Sequence, residues 1–91
     1  MRIQFIKNVH YTKLLKINDR MVKEFNFRKI NGGSEELFRV DVSDDRGNRI
    51  MFQMRKEGNA WQISSGQLLP AWITDNETKI SDLIEEEAKN Q

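Results

Sequence analysis

The chain has 91 residues, with fifteen Lys+Arg against fourteen Asp+Glu, a formal net charge of +1. That length suits a single domain, and Leu, Ile, Val and Phe make up 24 of its residues, enough for a modest core in a very polar chain. No apolar run approaches the ~18 residues of a membrane span. The absence of Cys excludes disulfides and thiolate metal sites, and a lone His excludes a histidine-rich one.

The N-terminal stretch has single apolar residues interrupted by Gln4, Lys7 and Asn8. It lacks the unbroken apolar core of a secretory signal, so the expected setting is cytoplasmic. Ile3 and Phe5 suggest a strand. Val9 to Ile17 contains Val, Tyr, Thr and Ile and also reads as strand, although a helix is the alternative. A hairpin within residues 1–17 would bring the sheet to five or six strands.

Met21, Phe25 and Phe27 share one face of a strand over about residues 21–30, with Val22, Glu24, Asn26 and Arg28 on the other. Asn31 to Glu36, containing Gly32-Gly33-Ser34, reads as the loop into the next strand. Phe38, Val40 and Val42 then alternate with Arg39, Asp41 and Ser43, and Ile50, Phe52 and Met54 alternate with Met51, Gln53 and Arg55. Between them a three-residue loop, Asp45-Arg46-Gly47, fits a type I turn with Gly47 in the left-handed conformation. This loop sets Val42 against Ile50, Val40 against Phe52 and Phe38 against Met54, so apolar meets apolar throughout. A two-residue turn at Glu57-Gly58 would set Met54 against Trp61 and Phe52 against Ile63.

Residues 70–89 read as a helix. Leu69, Trp72, Ile73, Ile80, Leu83, Ile84 and Ala88 recur at three- and four-residue steps. Pro70 suits a first turn, and Thr74-Asp75-Asn76-Glu77 is a candidate capping box that would start the main helix at Thr74. Glu85, Glu86 and Glu87 at its end are expected in solvent or near basic residues of the sheet. The expected fold is α+β: one domain over residues 1–91, with an antiparallel meander of four to six strands centred on residues 21–63 and one C-terminal helix on one face. Four strands followed by a helix is an order similar to the repeat of PUR-type nucleic-acid-binding domains. The likeness is one of topology with no shared motif, so it transfers no residue.

Charge is uneven along the chain: residues 1–30 balance to +6, residues 31–69 to −1 and residues 70–91 to −4. An acidic helix lying near a basic N-terminal region accounts for this plainly; a basic patch for an anionic partner is the sharper reading.

Catalytic constellations are wanting. His10 is the only imidazole, and nothing places it beside the hydroxyls of Ser64 and Ser65, so no catalytic residue, cofactor or metal is expected and the chain reads as non-enzymatic. Asp41-x-Ser43-x-Asp45 resembles the start of a calcium loop, but Arg46 stands where that loop needs Gly and Phe52 where it needs Glu. Turn chemistry explains these acids better. Gly32-Gly33 lacks the Lys-Ser/Thr of a phosphate loop. Trp61 and Trp72 read as core, with Trp72 also a candidate for a self-association surface.

The outer sheet face is the one candidate site. Arg28, Arg39, Arg49, Gln53 and Arg55 should project opposite the helix, with Asn26 among them. Such residues suit phosphates, sugar edges or acidic protein surfaces. The expected function is a protein-interaction or homodimerisation module, with a protein or a second copy as partner. Nucleic-acid binding through the basic face is the alternative, weakened because the aromatic residues fall on the inward face.

Overall fold

A computed structural model describes residues 9–32, 35–64 and 68–89. Five strands, β1 (His10–Asn18), β2 (Met21–Gly32), β3 (Glu35–Ser43), β4 (Arg49–Glu57) and β5 (Ala60–Ile63), form an antiparallel meander in the order β1-β2-β3-β4-β5. The sheet curls into a half-barrel. A short helical turn, α1 (Ala71–Thr74), leads to the main helix, α2 (Glu77–Lys89), which packs on the concave side. The α+β class, the antiparallel meander and the covering C-terminal helix are as the sequence implied. The segment read as strand or helix is strand over His10–Asn18 and pairs with β2; the hairpin expected within residues 1–17 involves residues outside those described. The strand expected at Ile3 and Phe5 lies outside the described residues.

Alternation dictates which face is buried. Phe25, Phe27, Val40, Val42, Phe52 and Met54 point into the half-barrel and are nearly inaccessible to solvent, and Ile73, Ile80 and Ile84 meet them from the helical side. Rings run across the strands: Tyr11 stacks on Phe27 at 5.1 Å between centroids, and Phe38 meets Trp61 edge-on at 5.1 Å. Trp72 packs edge-on against Phe25 at 6.4 Å, so it belongs to the core margin. Leu15 is buried, whereas its neighbour Leu14 points outward with 69% of its surface exposed.

The β3–β4 hairpin has the register that turn chemistry requires. Val42 pairs with Ile50, Val40 with Phe52 and Phe38 with Met54. Gly47 takes φ 82° and donates its N–H to Asp44 O at 3.0 Å. Asp44 Oδ1 accepts from the N–H groups of Arg46 and Asn48. These bonds hold the Asp44 carboxyl below the usual range, with the Asn48 N–H as the main cause.

Five local expectations need correction. The β4–β5 loop is Gly58-Asn59, so Met54 pairs with Ile63 and Lys56 with Trp61. Gly58 has φ 64° at the first loop position, where a type II′ turn needs glycine; the expected turn would have put Glu57 there. The β2–β3 connection is shorter than Asn31–Glu36, because both strands extend into it. The helix is not continuous over 70–89. It breaks at Asp75-Asn76, where buried Asn76 donates Nδ2–H to Trp72 O at 2.7 Å. No capping box forms, because the Glu77 carboxylate accepts from the backbone N–H of Ile63 instead. Ala88, counted in the apolar stripe, is exposed.

Candidate sheet-face and sheet-edge site

The register gathers the outer-face residues. His10 pairs with Arg28, Arg28 with Arg39, and Arg39 with Gln53, a row across four strands. One step along, Thr12 Oγ1–H donates to Asn26 Oδ1 at 2.7 Å and Asn26 Nδ2–H donates to Asp41 Oδ1 at 2.9 Å. Arg49 Nε lies 3.8 Å from that carboxylate. A depression of about 160 Å³ lies between the two rows.

Of the expected residues, Arg28, Arg39 and Gln53 are therefore contiguous, and Arg49 reaches the same depression through Asp41. Arg55 lies apart, its guanidinium 2.7 Å from Glu57. Neither Arg28 nor Arg39 has a carboxylate in ion-pair contact among the described residues. Leu14, Val22 and Met51 expose apolar surface on this same face. Every aromatic ring of the described residues lies on the concave side or on α1.

The acidic helix does approach the basic N-terminal region. Lys13 Nζ lies 2.9 Å from Glu87, which raises the lysine's pKa. Burial pushes the Tyr11 phenol well above its ordinary range, with Glu87 adding to the effect. Glu85 accepts from Trp61 Nε1–H at 2.8 Å.

The two edges of the sheet differ. On β5, Ser64 N–H bonds to Gln53 O, so by alternation Trp61 and Ile63 turn their N–H groups away from β4. Both find partners on α2: Trp61 N–H donates to Ser81 Oγ at 2.9 Å, and Ile63 N–H to Glu77 Oε2 at 2.8 Å. On β1, Lys29 N–H bonds to Val9 O, so residues 9, 11, 13 and 15 face β2. His10, Thr12, Leu14 and Lys16 therefore direct their backbone N–H and C=O groups outward, and no described strand lies beside them.

The sequence reading missed these edge features and the place of His10 in the basic row. A polar Ser81 and Glu77 at the margin of an apolar helical stripe were the available signal. His10 lies on β1 and Ser64 follows β5, at opposite sides of the sheet. Asp41 lies on the outer face, whereas Asp45 reaches Lys23 at 2.8 Å, so the calcium-loop acids do not converge. Among the described residues, no group of three or more His, Asp or Glu gathers as a metal-holding set, and no helix is long and apolar enough to cross a membrane. Comparisons with protein-family models, curated proteins and solved structures returned no match.

Proposed function

We propose that the chain is a non-enzymatic protein-interaction module that pairs with a second copy of itself through the outer edge of β1. The observation that supports this reading is the asymmetry of the edges: α2 supplies Ser81 and Glu77 to the β5 edge, while four residues of β1 direct outward backbone groups that have no partner among the described residues. A long unprotected edge is a template for strand addition.

A two-fold axis through Leu14 gives an antiparallel register in which Leu14 faces Leu14 of the partner subunit. Thr12 then faces Lys16 of the partner subunit, and His10 faces Asn18 of the partner subunit. This register sets no like charges opposite each other, whereas a shift of the axis one residue toward the N-terminus would oppose Lys13 to its own copy. It also removes from water the most exposed apolar side chain of the sheet.

Light scattering across a range of protein concentrations tests the proposal. The expected mass is about twice the 10.8 kDa of the chain, falling to the monomer value in Leu14→Pro. That substitution deletes one outward N–H and leaves the Lys13 and Leu15 bonds to β2 in place. A monomer at all concentrations, or a dimer indifferent to Leu14→Pro, contradicts it.

A further inference from the structure

We infer that the outer face of the sheet carries a binding site for one dianionic phosphate monoester, presented by a polypeptide, between Arg28 and Arg39. This goes beyond the edge pairing, because it rests on side chains of the face and not on the backbone of β1.

The sheet register opposes two guanidinium-bearing residues directly, an arrangement that weakens a sheet unless something offsets it. Nothing within the described residues does so, because the nearby acids are engaged elsewhere: Asp41 with Asn26 and Arg49, and Glu57 with Arg55. The result is two adjacent unneutralised cations beside a depression of about 160 Å³. His10 flanks Arg28, and Gln53, an amide donor, flanks Arg39. One carboxylate would neutralise one arginine. A phosphate monoester carries up to two charges and three acceptor oxygens, which match two planar multi-donor groups.

The same face argues for a polypeptide carrier over a nucleic acid. Among the described residues its free cations are a single pair and not a track, so they suit an isolated phosphate better than a repeating backbone. It presents no aromatic ring among the described residues on which a base could stack. Exposed Val22 and Met51 offer apolar contact to neighbouring side chains of a peptide.

NMR titration of the full chain tests this, reading the Arg Nε–H signals and backbone amides. The probes are N-acetyl-O-phosphoserine amide, N-acetyl-aspartate amide and a twelve-residue oligo-dT, each added separately. The phosphoserine probe is expected to shift the Arg28 and Arg39 signals saturably, at a concentration about fivefold or more below that of the aspartyl probe. Arg28→Gln and Arg39→Gln should each abolish the response, with the rest of the spectrum showing an intact fold, while Lys79→Gln on α2 leaves it unchanged. No saturable shift, an equal response to the aspartyl probe, or tighter binding of oligo-dT at the same signals would each overturn the inference. Solution mass measured on the same samples without a probe reports separately on the β1 pairing.

Discussion

Trp61 and Ser81 are joined by a buried bond of 2.9 Å from the Trp61 backbone N–H to the Ser81 hydroxyl. The two residues stand twenty apart in sequence, and the bond ties the last strand to the first turns of α2. It also closes an N–H that would otherwise face outward from the sheet. Ser81→Ala would leave that N–H buried and unpaired, at a cost of about 1–3 kcal/mol. Urea denaturation should show the loss with an unchanged m-value.

Tyr11 gives a prediction of opposite sign. Its hydroxyl is buried and has no hydrogen-bond partner among the described residues, while its ring stacks on Phe27. Tyr11→Phe keeps the ring and removes the unsatisfied group. The expected change is neutral to stabilising, up to about 1 kcal/mol. A clear loss of stability in the same denaturation assay would mean that the hydroxyl is bonded in solution.

Arg28 and Arg39 should show a trade between stability and binding. Each substitution to Gln relieves a directly opposed like-charge pair, so the folded state should gain about 0.2–1 kcal/mol by thermal unfolding at low salt. The gain should shrink as salt screens the repulsion. Arginines serving only to stabilise the sheet would give a loss instead.

The Asp44 carboxyl is held below its ordinary pKa of 3.8 by the hairpin's own N–H groups. A group lowered in the folded state stabilises it fully above the ordinary pKa. That contribution disappears as the pH falls through the lower folded value. The midpoint of thermal unfolding should therefore fall on acidification through this range. Asp44→Asn should flatten that part of the profile, since its amide accepts the same bonds without titrating.

How far the sequence could be read depended on whether local chemistry and alternation gave one answer. At the β3–β4 hairpin they did: a one-residue slip would have put Val42 opposite Arg49, so the pattern and Gly47 chose the same pairing. At β4–β5 the rival registers differ by two residues, which preserves the faces, so apolar matching could not separate them. Only the position of Gly58 at the first turn residue decides. Gly58→Ala, forced to a positive φ, should accordingly lower the unfolding midpoint. The break before α2 was hidden for a different reason. Glu77 is drawn to the Ile63 N–H, a contact fourteen residues away that no local spacing encodes. The composition of the basic face was legible from alternation alone. The grouping of Arg28, Arg39 and Gln53 in one row, with Arg55 drawn off to Glu57, required the registers of two strand pairs.

Hydrogen exchange of the β1 amides, followed by NMR at two protein concentrations, tests the edge-pairing claim most directly. Pairing through β1 predicts that the amides of His10, Thr12, Leu14 and Lys16 become more protected as concentration rises. Those of Tyr11, Lys13 and Leu15, already bonded to β2, should be protected at both concentrations. Fast exchange of the four outward amides at high concentration, or protection independent of concentration, would contradict it.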